Sequence, residues 1–204
     1  MSEKRFFPYG AVEIEYLKKK DKRLGEAIDR IGPLQRTVTP NLFNALINSI
    51  IGQQISMKAA NTVRDRITMA LGEITPETIC KISLEKLQSF GLSFRKAGYI
   101  KGIADVVLSK EFNIEELNEL SDEEVCKRLS ALKGLGIWTA EMLMIFSMER
   151  KNIVSWGDLA IRRGMMKLYH HKELDRKRFE VYKKRYSPYG TVASLYLWEI
   201  SQES

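Results

Sequence analysis

Along almost the whole chain, apolar residues recur at intervals of three and four, and no run alternates apolar with polar residues long enough to build a strand. That periodicity predicts an all-α fold. Thr39-Pro40 is read as opening a helix with Leu42, Leu46, Ile47, Ile50 and Ile51 on its apolar face, Pro40 suiting the first helical position and Gly52 the end. Ser56 can cap a second helix facing inward with Ala59, Ala60, Val63 and Ile67, which leaves Gln53, Gln54 and Ile55 in a short exposed joint. Gly91 and Ser93 break the pattern before a helix that runs to about Leu108. Ser121 followed by Glu124 forms a capping box ahead of Val125, Leu129 and Leu132. Further helices are expected from Asp158 to about Tyr169, over 175–185, and after Pro188. No low-complexity linker or internal repeat divides the chain.

With 204 residues, 44% of them hydrophobic, the chain can bury the core of one domain, 1–204, for which two helical lobes are the expectation. Lys and Arg number 33 against 26 Asp and Glu, a formal net charge of +7, and the isoelectric point is near 9.3. Such an excess favours a polyanionic partner, although a basic balance alone also fits a merely soluble protein. Two cysteines, Cys80 and Cys126, are too few for a disulfide framework or for the four thiolates of an iron–sulfur cluster, and are expected as buried thiols. The N-terminus lacks the apolar run of a signal peptide, and no apolar stretch approaches the ~18 residues of a membrane span. An intracellular, soluble protein with no membrane partner is the expectation.

The segment Leu132-Lys133-Gly134-Leu135-Gly136 reads as a turn between a helix ending at Leu132 and one beginning near Ile137, the two helices with their turn spanning about 122–149. Its glycines tolerate positive φ and let the backbone approach a partner closely, while the first amides of the next helix suit a phosphate. As a bare Gly-x-Gly, it is also an ordinary helix–helix turn. Asp158, ahead of another apolar helix, is on its own more often an N-cap than a catalyst.

The wider pattern is more specific. Leu-x-Gly-Leu-Gly-x-x-Thr-Ala from Leu132 to Ala140, followed by Asp158-Leu159-Ala160-Ile161-Arg162-Arg163-Gly164, closely resembles the helix-hairpin-helix base-excision DNA glycosylases (the HhH-GPD superfamily), and within them the branch of 3-methyladenine DNA glycosylase II. Gly52-Gln53-Gln54-Ile55-Ser56 resembles that family's strand-wedge region, and the segment from Pro188 to Trp198 resembles its closing helix. The resemblance covers roughly residues 35 to 201. It implies a bilobal helical fold with the active site in the cleft between the lobes and the C-terminal helix packing back on the N-terminal lobe. With only about 35 residues ahead of the matching region, the chain looks like the compact form of the family, without the β-rich N-terminal domain of larger relatives.

The resemblance further implies that Asp158 is the catalytic carboxylate. Cleavage of an N-glycosidic bond builds oxocarbenium character on the sugar, which a nearby negative charge in a water-poor site stabilises. In relatives that form a Schiff base and cut the strand, a lysine stands two residues after the second hairpin glycine, because an amine must attack the sugar carbon. Here that position is Trp138, so the implied enzyme is monofunctional, uses water and leaves an abasic site. Trp138 and Trp156 could form an electron-rich wall for a cationic alkylated purine, an attraction of about 0.5–2 kcal/mol, or could pack in the core.

The implied partner is duplex DNA carrying a damaged base, bound by a monomer. Flipping the base leaves a gap that Gln54, or else Ile55 or Gln53, would plug, unless the two glutamines only satisfy helix-end carbonyls. Lys133, Gly134, Leu135, Gly136 and Thr139 would line the DNA backbone, with Arg95, Lys96, Arg162 and Arg163 as further phosphate contacts or as surface charges balancing nearby acids. No cofactor is required by this reading. A Na+ or K+ ion held by the carbonyls of Leu132, Leu135 and Ile137 is implied at the hairpin. His170 and His171 lack partners at ligand spacing and are expected at the surface. The competing functions are a glycosylase of the same fold for an oxidised guanine or a mismatched pyrimidine, and a non-catalytic helix-hairpin-helix module that binds damaged DNA.

Overall fold

The computed structural model describes residues 4–203. Its helices are α1 (Ala11–Lys20), α2 (Lys22–Ile31), α3 (Leu42–Gly52), α4 (Met57–Leu71), α5 (Pro76–Lys81), α6 (Leu84–Ser89) and α7 (Phe94–Leu108). A 3-10 turn over Glu115–Glu119 leads into α8 (Asp122–Ala131), α9 (Ile137–Phe146), α10 (Leu159–Tyr169), α11 (Arg176–Tyr186) and α12 (Gly190–Gln202). Among the described residues the nearest approach to a sheet is a single antiparallel bridge between Phe6 and Thr37.

Local capping chemistry sets most of the boundaries. Ser56, Ser93 and Ser121 accept the amides of Ala59, Lys96 and Glu124. At Ser121 the Glu124 carboxylate returns to the cap amide, completing the capping box. The start of α3 differs from the expectation at Pro40. Asn41 caps the helix by accepting the Asn44 amide, and the helix opens at Leu42, because a side-chain acceptor satisfies an orphan amide whereas proline can only tolerate lacking one.

The chain forms two compact units, one of residues 4–38 with 144–203 and one of residues 39–143, the division falling within α9. In the first unit α10 packs along α12 so closely that a Cβ on Gly164 would lie 2.1 Å from the Leu197 carbonyl oxygen. Beside this pair sits a buried polar knot. Asp21 caps α2 through the Leu24 amide at 3.0 Å and accepts the Tyr169 hydroxyl at 2.5 Å and the Arg185 guanidinium at 2.6 Å. Burial pushes the Tyr169 and Tyr186 phenols well up, so both stay neutral and share a hydrogen bond at 2.7 Å. A buried carboxylate satisfied on several sides in this way would cost about 3–5 kcal/mol if its charged partner were removed.

In the second unit α7 is the central helix, touching α3, α5 and α6 through Ala97, Ile100, Ile103 and Ala104. Its Lys101 ammonium donates to the carbonyls of Ile79, Cys80 and Ile82, closing the C-terminal end of α5. The cysteines are only half-buried, contrary to the expectation. The Cys80 thiol donates to the Asp105 carboxylate at 3.2 Å, and burial, with Asp105 beside it, raises its pKa. His170 is exposed in the left-handed conformation that ends α10, whereas His171 is half-buried and hydrogen-bonded to the Tyr182 hydroxyl at 2.6 Å. Aromatic packing around Tyr169 and Tyr182, which histidine spacing does not reveal, draws that ring inward.

Candidate nucleic-acid interface and catalytic carboxylate

In the second unit, α8 ends at Ala131 and the chain turns through a hydrogen bond from the Leu135 amide to the Leu132 carbonyl at 3.1 Å. Gly134 holds the turn at φ 93°, and a Cβ there would sit 2.4 Å from Cδ2 of Tyr99. Both the dihedral and the space therefore demand glycine. Leu135 is buried and anchors the turn, while Lys133, Gly136, Ile137 and Trp138 are exposed and Thr139 is half-buried. Gly136, at the N-cap position of α9, has no side chain with which to cap the helix, whose first internal bond runs from the Ala140 amide to the Gly136 carbonyl. Trp138 presents half of its indole to solvent.

The joint between α3 and α4 is tied to this hairpin. Gln53 donates its side-chain amide to the Gly134 carbonyl at 2.7 Å, and the Lys96 ammonium, from the first turn of α7, donates to the carbonyls of Ile51 and Gln53 at 2.9 and 2.6 Å. Lys96 is thus the C-terminal cap of α3 rather than a free phosphate contact, and burial lowers its pKa. Gln53 likewise faces the hairpin instead of solvent. Gln54, at φ 58° in the left-handed region, is exposed at the tip with Ile55, and Arg95 is exposed at the start of α7.

Two residues that sequence reasoning passed over stand beside them: Met57 is 81% exposed and Phe94 57% exposed. The apolar periodicity of α4 and α7 extends back to both, so sequence alone would bury them. They escape because each occupies the first position of its helix, where the core no longer reaches.

In the first unit, Asp158 precedes α10 and is only 7% exposed. Its Oδ1 accepts the amides of Ala160 at 2.9 Å and Ile161 at 3.0 Å, which fixes the carboxylate at the positive end of the α10 dipole. The cap reading of Asp158 is therefore correct as structure, and it is compatible with a second role. Arg163 is exposed, but Arg162 is half-buried, with its Nε shielded from solvent and its guanidinium 4.8 Å from the centre of the Trp156 ring. Arg176 lies 5.2 Å from the same ring, and Phe179 meets it edge-on at 5.1 Å. Trp156 thus already has two guanidiniums against its half-buried ring, which would compete with a cationic base for the same ring. Arg162 is correspondingly a packing partner of Trp156 more than a phosphate contact.

Of the three carbonyls implied for a monovalent cation, that of Leu132 already accepts the Leu135 amide and keeps one lone pair. An all-carbonyl donor set with no carboxylate suits a weakly charged ion such as Na+ or K+. Among the described residues no helix is long and apolar enough to cross a membrane.

Comparison with known proteins places this architecture. Residues 47–188 match the HhH-GPD superfamily of base excision DNA repair proteins. The chain is 33% identical over 186 residues to DNA-3-methyladenine glycosylase 1 of Schizosaccharomyces pombe, covering 89% of this chain and 82% of that protein. Its fold is similar to the crystal structure of DNA-3-methyladenine glycosidase from Bacillus halodurans, with a TM-score of 0.89 and 37% identity over 97% of this chain and 93% of that one. It is also similar to the S. pombe 3-methyladenine DNA glycosylase in complex with abasic DNA, with a TM-score of 0.77 and 30% identity over 95% and 98% of the two chains. With the family match over residues 47–188 and nearly the full chain length covered by these relatives, this protein belongs to the HhH-GPD superfamily of base excision DNA repair proteins.

Proposed function

We propose that this protein is a monofunctional DNA glycosylase that releases alkylated purines, such as 3-methyladenine and 7-methylguanine, from duplex DNA. The observation that carries the reading is Asp158, a buried carboxylate oriented by two backbone amides, in a chain whose hairpin carries Trp138 where a strand-cutting relative would carry lysine. The similarity to proteins named as 3-methyladenine glycosylases supports the substrate class.

In this mechanism the nucleotide is flipped out of the stack, and the bond between the sugar C1′ and the base nitrogen breaks with its electron pair leaving on the base. A base alkylated at N3 or N7 is already cationic and leaves as a neutral molecule, so little protonation is needed. The Asp158 carboxylate stabilises the positive charge that develops on the sugar. Water then adds its oxygen to C1′ and loses a proton, leaving an abasic site and an uncut strand. Without an amine at residue 138, no Schiff base links enzyme and sugar.

The tip formed by Gln54 and Ile55, with Met57 next to it, supplies the plug for the vacated space. The backbone of Gly134 to Gly136, with Lys133, Thr139, Arg95 and Arg163, meets phosphates. Carbonyls of Leu132, Leu135 and Ile137 would hold Na+ or K+, which would add positive charge toward a phosphate. The half-exposed indole of Trp138 suits stacking on a cationic base.

The test is excision from end-labelled duplexes carrying 3-methyladenine, 7-methylguanine, hypoxanthine, ethenoadenine, 8-oxoguanine or uracil, each analysed with and without hot alkali. Strand breaks that appear only after alkali, with alkylated purines released fastest, are expected. Breaks without alkali would overturn the monofunctional assignment, and no release from any duplex would return the chain to the binding-module reading.

A further inference from the structure

The net positive charge of this chain is concentrated in two segments. Residues 18–23 and 172–185 together hold twelve Lys and Arg against four Asp and Glu, a net +8, whereas the whole chain carries +7, so everything else sums to −1. The hairpin and the α3–α4 joint, where the chain is expected to meet DNA, lie in that nearly neutral remainder.

Tertiary structure brings the two basic segments together within the first unit. The Arg185 guanidinium, at the end of α11, reaches Asp21 at 2.6 Å, in the middle of the first segment. Helices α1 and α11 are in contact, and Arg23 donates to the Leu168 carbonyl at the end of α10. Between the segments in sequence, His171 is hydrogen-bonded to the Tyr182 hydroxyl of α11 at 2.6 Å, and burial, with the Arg178 and Arg23 guanidiniums, holds its pKa below the ordinary value.

The surface is open and mostly uncompensated. Nine of the twelve basic residues are exposed, and the other three, Lys18, Lys183 and Arg185, are half-buried. Helix α11 buries Phe179, Tyr182 and Tyr186, which turns Lys177 and Lys184 to the opposite, outward side. Lys18, Lys22, Arg176 and Arg185 pair with carboxylates. Among the described residues Lys19, Lys20, Lys172, Lys177, Arg178, Lys183 and Lys184 form no such pair.

We propose that the surface formed by the end of α1, the start of α2 and the outer side of α11 is a second, lesion-independent contact for the phosphate backbone of duplex DNA, separate from the hairpin. The proposal rests on duplex DNA being the substrate of this protein. Clustered Lys and Arg without acidic partners release counterions when they meet phosphates, and they carry no means of reading bases. An enzyme whose target base is rare spends most of its bound time on undamaged duplex. A backbone grip of this kind holds it there and lets it slide. The charge density fits a polyanion, and the lack of an exposed aromatic platform on α11 favours a stacked duplex over splayed single strands.

The experiment compares three proteins on a long undamaged duplex over a range of salt: the wild type, a Lys177→Gln/Lys183→Gln/Lys184→Gln variant, and a control, Lys81→Gln/Lys86→Gln/Lys110→Gln, that removes the same charge from the second unit. Thermal unfolding confirms that each is folded. The α11 variant is expected to bind more weakly, with the slope of log affinity against log salt reduced by about 2–3, while the control keeps the wild-type slope. Single-turnover excision of an alkylated purine at saturating enzyme should be the same in all three.

An unchanged slope in the α11 variant would overturn the proposal, and so would an equal loss in the control, which would reduce the effect to net charge. Retained duplex binding with lost affinity for single-stranded RNA would assign the surface to RNA and overturn it as well. If wild-type protein excises nothing yet shows the slope difference, the glycosylase reading fails and the contact surface stands.

Discussion

The side-chain amide of Gln53 and the backbone carbonyl of Gly134 are joined at 2.7 Å across 81 residues of sequence. One hydrogen bond thereby ties the α3–α4 joint to the hairpin, and Lys96 braces the same joint through the carbonyls of Ile51 and Gln53. Gln53→Ala should lower stability by about 1 kcal/mol, the net value of such a bond. Its effect on DNA should be of similar size, because the proposed plug and the proposed phosphate grip would no longer be joined. Binding to lesion duplex should weaken several-fold in a titration, and unchanged binding would show that the link is only structural.

Gln54 differs from its neighbour. It is exposed and holds a left-handed backbone, so replacing it with alanine would mix loss of the side chain with strain. Gln54→Gly removes the side chain and keeps the conformation. We expect unchanged or slightly higher stability with slower single-turnover excision. Full activity in that variant would remove Gln54 as the plug.

Cap and catalyst can be separated at Asp158. Asparagine can still accept the Ala160 and Ile161 amides, so Asp158→Asn should stay folded and bind DNA while losing excision. Alanine cannot cap, and Asp158→Ala should lose excision and also about 1 kcal/mol of stability. Paired unfolding and excision assays make the distinction. Turnover surviving in the Asn variant would sink the mechanism.

In the first unit Gly164 meets the Leu197 carbonyl with no room for a side chain. Gly164→Ala places a methyl 2.1 Å from that backbone oxygen, and neither helix has a flexible side chain there to move aside. The variant should lose about 3 kcal/mol or fail to fold, at the upper end of overpacking costs. A melting temperature near that of the wild type would mean that α10 and α12 can separate without penalty.

His171 gives the fold a mild acid sensitivity. Burial first, then Arg178 and Arg23, depresses its pKa below the usual 6.5, so the unfolded chain binds the proton more tightly. The stability contributed by the neutral ring is present above pH 6.5 and is lost as pH falls through that value toward the lower folded pKa. A series of unfolding curves across pH 5 to 7 should show this dependence, and it should shrink in His171→Gln. An unchanged pH profile in that variant would exclude His171 as its source.

Much of the fold was legible because its signals are local. Ser56, Ser93 and Ser121 each bond an amide three residues away, and the apolar rhythm of α3 and α7 survives any tertiary context. Asn41 displaced Pro40 for the same local reason: its carboxamide is nearer the helix it caps. Lys96 could not be read, since the carbonyls that it caps are more than 40 residues away and a lysine near a helix start looks like a phosphate contact. Nor could the surroundings of Trp156, whose half-buried ring lies against Arg162 and against Arg176 from the next helix.

By itself the sequence determined the all-helical class, the hairpin between α8 and α9, and the aspartate that heads α10, since each depends on residues within a turn or two of one another. The tertiary structure alone decided which of the candidate cations are free to meet a phosphate, which aromatics remain uncovered, and that the net positive charge gathers on one surface of the first unit. Those outcomes depend on contacts between residues far apart in the chain, and packing and electrostatics act through space without regard to sequence separation.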